Sequence, residues 1–318
     1  MSGKAVGKGQ LWRQLKREKM LHVFALLGVA YLLVFNYVPM AGIVMAFKNY
    51  TITQGFWGIF TSEWVGFKHF IAFFNDFQFW QLIRNTVALS LLKLLFSFPM
   101  PILFAIMLNE VRHSWFKRSI QTISYLPHFI SWVIVSGIAI NFLGTNNGVI
   151  NDMLLSLGWI SEPIAFLTSA KNFWPVAVVL DVWKDMGWWT IVFLAAITGI
   201  DPSLYEAADM DGATRLKKIW HITLPCIQGT VAVVLILSLG NLFGGGLSGS
   251  NFEQAYLLGN PSNKETSEII QTYVFTTGLQ NARYAYATAV GLIQSVISLI
   301  LIFASNSVSK KLSGSSLF

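Results

Sequence analysis

The sequence predicts an all-α integral membrane protein with six transmembrane helices and both termini on the cytoplasmic side. Three observations predict it. Hydrophobic residues make up 54% of the 318-residue chain and charged residues only 12%, too few to solvate the surface of a water-soluble domain of this size. Met20–Phe47, Ser119–Asn151, Ile219–Phe252 and Tyr284–Ser309 contain no Asp, Glu, Lys or Arg, and a bilayer span needs about 20 mostly apolar residues. Finally, Lys and Arg fall unequally on the two sides of the spans, as they do when the basic loops are cytoplasmic.

The spans read as 21–47, 85–109, 122–143, 174–199, 226–247 and 285–307. A basic tail, 1–20, precedes the transmembrane domain at 21–309, and a short tail, 310–318, follows it. Within the first tail, Gln10–Met20 places Leu11, Trp12 and Leu15 on one helical side among basic residues. That pattern suits either a helix lying on the inner leaflet or a flexible basic flank. The first span is too long for a signal-peptide core and is expected to be retained. Lys48–Arg84 is crowded with aromatic residues, which favour the headgroup boundary and predict an interfacial helix leading into the second span. A sugar-stacking surface is the other reading of those rings.

The second span carries Lys93 and, at Pro99 and Pro101, a predicted kink. Gly144–Lys171 has turn chemistry and little else. The fourth span holds Asp181, Lys184 and Asp185, spaced to share one helix face. Lys93 and Asp185 come at similar depths when counted from their span ends, about 13 and 17 Å at 1.5 Å per residue, so a Lys93–Asp185 pair is expected. Such charges in lipid are either structural pairs or part of a substrate path. Gly244–Gly246, at the end of the fifth span, is expected to unwind it. Ser248–Arg283 is the longest soluble-looking stretch in the second half of the chain.

The basic count fixes the orientation. Fourteen Lys and Arg lie on the side of the termini: six in the first tail, then Arg112, Lys117, Arg118, Arg215, Lys217, Lys218, Lys310 and Lys311. The opposite side has six: Lys48, Lys68, Arg84, Lys171, Lys264 and Arg283. The +7 net charge is thus a topology signal, and no nucleic-acid-binding module accompanies it.

Between the fourth and fifth spans lies a charged island, Tyr205–Pro225. Asp201-Pro202 is a helix start, with Asp201 as cap and Pro at the first helical position; Ser203 and Glu206 have capping-box spacing and compete for that cap. Ala207 and Ala208 allow close approach by another backbone, and Gly212 ends or bends the helix. Leu216, Ile219 and Trp220 then face an apolar surface while Arg215, Lys217 and Lys218 meet water or headgroups. Standing alone, the island is an amphipathic connector. Its full spacing, Glu-Ala-Ala, three residues, Gly, nine residues, Ile, one residue, Leu-Pro, resembles the coupling loop of binding-protein-dependent ABC importer permeases. Phe35–Gly42, Tyr125–Trp132, Ile269–Phe275 and Tyr286–Leu292 resemble the branch that handles oligo- and polysaccharides.

That resemblance implies the importer-type permease fold, in a bacterial plasma membrane, moving an oligosaccharide. It implies a second homologous permease, two cytosolic ATPases that bind the ATP and Mg, and an extracellular sugar-binding protein. It also implies ATPase coupling at Glu206, Ala207, Ala208, Asp211 and Gly212. The chain itself is expected to bind no cofactor and to catalyse nothing. Gly7-Lys8-Gly9 lacks the upstream glycine and strand of a phosphate loop, the five histidines have no metal-ligand spacing, and Cys226 is the only cysteine. Substrate-path candidates are the aromatic and amide side chains within the spans: Trp183, Trp188, Trp189, Asn241 and Gln294. An ion- or proton-coupled transporter using the intramembrane charges is the alternative.

Overall fold

The computed structural model describes residues 17–313, and side chains through Ser307. Residues 10–16 of the Gln10–Met20 segment, read as either a leaflet helix or a flexible flank and including Leu11, Trp12 and Leu15, therefore lie outside the described residues. What is described is helical, with an isolated antiparallel bridge between Lys48 and Trp64. In chain order the helices are α1 (Lys19–Phe47), α2 (Gly55–Thr61), α3 (Lys68–Phe74), α4 (Phe79–Glu110), α5 (Ser114–Phe129) and α6 (Trp132–Leu143). There follow α7 (Val149–Ser156), α8 (Ala170–Thr198), α9 (Pro202–Met210) and α10 (Arg215–Gly240). The last four are α11 (Asn251–Leu258), α12 (Lys264–Ser267), α13 (Ile270–Phe275) and α14 (Tyr284–Ser313).

By length and composition α1, α4, α10 and α14 each suffice to cross a membrane, and the bent pairs α5–α6 and α8–α9 bring the number to as many as six. The expected third span is where sequence and structure part. Residues 122–143 are not one rod: α5 and α6 meet at 104°, and α6, at 12 residues, is about 18 Å long, short of a 30 Å hydrocarbon core. The break has a local cause. Pro127 sits in a tight 3₁₀ turn, Leu126–Phe129, and Ile130 is extended. Ser131 then caps α6 by accepting the Ile134 amide.

The fifth span ends sooner than expected, at Gly240 rather than 247. The glycines do unwind the chain there. Gly245 and Gly246 have φ of 111° and 61°, and a Cβ on Gly245 would lie 2.8 Å from the Ser250 amide nitrogen. At the second span, α4 is interrupted by a turn at Ser97–Phe98 directly before Pro99, where the Ser97 and Phe98 amides both reach the Lys93 carbonyl, yet it continues as one span to Glu110.

Three apolar clusters hold the bundle. One joins Leu89 of α4, Ala139, Phe173, Ala177, Leu258 and Ile269. Another packs Phe98 and Ala105 of α4 against Phe193 and Ile197 of α8 and Ile227 and Val234 of α10. The remaining one sets Phe73 and Leu82 against Ile270, Tyr273, Tyr286 and Val290. Helix α4 enters all of them. By contrast, α1 is exposed from Lys19 to Ala41, and its first buried residue is Ala46.

The soluble-looking stretch after α10 is instead woven into the bundle, with Asn251, Gln254, Asn263 and Ile269 all buried. Its polar side chains satisfy irregular backbone rather than meeting water. Gln254 Nε2 donates to the Ala177 carbonyl at 2.9 Å, and Asn263 Nδ2 to the Leu167 and Leu258 carbonyls at 2.8 and 3.0 Å. Thr266 Oγ1 donates to the Ala170 carbonyl at 2.7 Å.

Helix α5 reaches α8 through a glycine. A Cβ on Gly187 would lie 2.0 Å from the Ser124 carbonyl oxygen. Gly187→Ala is therefore expected to destabilise the protein by about 1–3 kcal/mol through overpacking. Gly137→Ala, where a Cβ meets nothing within 4 Å, is expected to be neutral or slightly favourable. Thermal unfolding of the two variants in one detergent checks the difference.

Candidate functional site

The island between α8 and α10 folds into an exposed elbow. Helix α9 leaves α8 at 68°. Asp201 wins the cap, its carboxylate accepting the Ser203 amide at 2.9 Å, and that bond holds the carboxyl below the usual carboxylate range. At the far end Gly212 has φ 68°. The Gly212 amide donates to the Asp209 carbonyl and the Ala213 amide to that of Ala208, at 3.0 and 2.9 Å. This is the Schellman pattern, in which glycine accepts a conformation costly to other residues.

Two side-chain bonds then fasten α9 to α10: Lys218 Nζ to Asp209 Oδ1 at 2.8 Å, and the Tyr205 and Thr223 hydroxyls at 2.9 Å. Arg215 lies 4.0 Å from Glu110 at the end of α4. Thus Asp209, whose acidity had no reading in the sequence, braces the elbow. Glu206, Ala207, Asp211 and Gly212 are exposed and Ala208 is half-buried. Glu206 has no hydrogen-bond or ionic partner among the described residues, and Met210 beside it is 89% exposed.

Deeper in the bundle the intramembrane charges form two linked groups. Lys93 pairs with Asp181, not Asp185, at 3.1 Å, both side chains almost fully buried. Counting depth from span ends put Asp185 opposite; the choice is made by the chain after α10, which sequence counting had placed outside the bundle. Lys93 Nζ donates to Ser250 Oγ, Ser250 Oγ donates to Asp181 Oδ1, and Ser248 Oγ also donates to Asp181, all at 2.7 Å. Four residues along α8, about 40° around the helix, Asp185 faces the α5–α6 corner. There His128 Nδ1 donates to Asp185 Oδ1 at 2.7 Å, with Lys184 Nζ 3.7 Å from the same oxygen. Lys184 Nζ donates to the His128 carbonyl at 2.7 Å.

The five path candidates do not converge. Trp188 lies flat on the His128 ring, centroids 4.5 Å apart and planes 3° off parallel. Trp189 packs into the apolar cluster of α4, α8 and α10. Trp183 is 44% exposed. Asn241 ends α10, its Nδ2 donating to the Gly246 carbonyl at 3.0 Å. Gln294 is half-buried on α14 and makes no hydrogen bond among the described residues. A groove of about 840 Å³ opens between α1 and α14, lined by Met40, Ile43, Gln271, Phe275 and Gly291 among others, and none of the five lines it. His128, Ser248 and Ser250 were missed. The available signal was a histidine next to a proline inside an apolar run, and two serines just after three glycines.

Residues 97–314 match the family described as Binding-protein-dependent transport system inner membrane component. The chain belongs to that family. It is 46% identical to protein LplB of Bacillus subtilis over 98% of this chain and 95% of that protein. It is also 46% identical to YteP of the same organism, a polygalacturonan/rhamnogalacturonan transport system permease, over 94% of this chain and 90% of that one. Its fold superposes with a TM-score of 0.86, at 42% identity, on a chain of a bacterial alginate ABC transporter crystallised with an alginate pentasaccharide-bound periplasmic protein. That match covers 97% of this chain and 100% of the other. The protein is therefore a multi-pass membrane permease component of an ABC importer. No finding supports the ion-driven alternative.

The Lys93–Asp181 pair generates a prediction. Removing one partner leaves a buried charge unpaired, so Lys93→Met or Asp181→Leu is expected to cost about 3–5 kcal/mol, while an apolar replacement of both recovers most of it. The unfolding midpoints of the two singles and the double, Lys93→Met with Asp181→Leu, check this; a double as damaging as the summed singles overturns it.

Proposed function

We propose that this chain is one of two permease halves of an oligosaccharide importer in a bacterial plasma membrane, driven by ATP hydrolysis in two separate cytosolic subunits. The observation that carries the reading is the elbow: a capped, glycine-terminated helix, exposed at Glu206, braced to α10 at two points. A brace of that kind lets a push on α9 move α10 and the end of α8 together. Glu206, Ala207, Ala208, Asp211 and Gly212 make the docking face. ATP and Mg belong to the ATPase partners, and this chain holds neither.

Orientation follows from charge. The fourteen-to-six excess of Lys and Arg supports a cytosolic elbow and cytosolic tails, 1–20 and 310–318. The second permease is supported by α1, an apolar helix exposed from Lys19 to Ala41, which lipid and a neighbouring protein together would cover. An oligosaccharide cargo is supported by the relatives, among them an arabinooligosaccharide permease, AraP of Bacillus subtilis, 30% identical over 96% of this chain. An extracellular binding protein would deliver the sugar, and the differential affinity of the ATPases for ATP in two states would drive the alternation.

Reconstituted with its second permease, ATPases and binding protein, the complex is expected to couple sugar uptake to ATP hydrolysis. Combining Glu206→Ala with Gly212→Val removes the exposed carboxylate and forces a β-branched residue into positive φ. Sugar-stimulated hydrolysis and uptake are then expected to fall about tenfold or more, within the range of ordinary coupling energies. Undiminished coupling in that variant sinks the docking assignment.

A further inference from the structure

The Tyr125–Trp132 segment takes no part in the elbow. It makes the 104° corner between α5 and α6, and α8 locks that corner in place. His128 Nδ1 donates to Asp185, and Lys184 Nζ donates to the His128 carbonyl and lies 5.7 Å from the Trp132 ring centroid. The His128 ring is thereby held flat against Trp188, with Phe129 standing edge-on to both at 5.6 Å. The platform is accessible: the His128 side chain is 30% exposed, Trp188 37% and Phe129 72%.

An imidazole bonded to a carboxylate is out of place against lipid tails, where ionisable groups instead face protein or a water-filled cavity. The outer faces of the stack, not taken up by the ring-on-ring contact, offer broad apolar contact. With Nδ1 committed to Asp185, Nε2 is the ring nitrogen left for a polar partner. Aromatic area with two polar edge atoms, Nε2 of His128 and the indole N–H of Trp188, fits the two sides of a pyranose, its axial C–H face and its equatorial hydroxyls. We propose that the Trp188–His128 stack, walled by Phe129, is a subsite for a pyranose ring of the saccharide in transit. Asp185 and Lys184 act through His128 as positioning residues. The inference rests on the saccharide-import reading and adds to it a place in the chain.

The test uses the complete complex in proteoliposomes, with trigalacturonate, trimannuronate and maltotriose as probes. In a Cys226→Ser background, which removes the only cysteine of this chain, Phe129→Cys is labelled with a membrane-impermeant methanethiosulfonate. The complex lacking Phe129→Cys serves as the blank. Whichever probe is imported is expected to slow labelling about fivefold or more, and Trp188→Ala to lower saccharide imported per ATP about tenfold. Trp188→Phe, which keeps a ring, is expected to recover most of that loss. Labelling that the imported probe leaves unchanged overturns the subsite, as does an introduced thiol in Phe129→Cys that no reagent reaches. Undiminished import per ATP by Trp188→Ala overturns it too. If the unaltered complex imports none of the three, the saccharide reading itself falls and the subsite with it.

Discussion

Inside a bilayer no water is available to satisfy a broken helix, and that constraint shapes this fold. The chain breaks twice within its apolar segments, after Phe129 and after Gly240, and each break is met by charge from α8. Asp181, with Lys93 of α4, binds the hydroxyls of Ser248 and Ser250 beyond the second break. Asp185 and Lys184 bind the side chain and carbonyl of His128 at the first. A buried ion pair contributes little net stability relative to apolar packing of the same volume. What it supplies here is a single position for irregular backbone. Ser248 can stay in the bundle because Asp181 accepts its hydrogen bond, and Lys93 lies 3.1 Å from the same carboxylate.

The same logic separates what was legible in the sequence from what was not. Long charge-free runs gave helices α1, α10 and α14, because their burial in lipid demands nothing but length and composition; the remaining such run, Ser119–Asn151, gave the bent pair α5–α6. The elbow was legible because its signals are local: Asp201 before Pro202, and Gly212 with positive φ at the end. The corner at Pro127 was not, since a proline in an apolar run is compatible with either a kink or a full break, and here Ser131 restarts the helix. Polarity in 248–283 suggested solvent, yet Gln254 and Asn263 spend their amides on carbonyls of α8 and the loop before it. The wrong partner for Lys93 follows from that same error, because the loop that selects Asp181 had been placed outside the bundle.

Helix α8 joins the two regions that the proposed function needs to connect. Its end leads into Asp201 and the elbow, and about 20 Å back from Thr198, along a helix with 1.5 Å per residue, lies Asp185. Its only internal proline, Pro175, falls on the far side of Asp181, so the stretch from Asp185 to Thr198 has no proline to absorb a displacement. The second route from the elbow runs through Asp209–Lys218 and Tyr205–Thr223 into α10. Both routes converge on one packed layer, where Phe193, Leu194 and Ile197 of α8 meet Ile227 and Val234 of α10. Close-packed interiors shift as units because sliding one side chain past another opens voids or clashes. A force applied at α9 would therefore move α8 and α10 in common, and with them the His128 corner and the Ser248–Ser250 break that hang on the acids of α8.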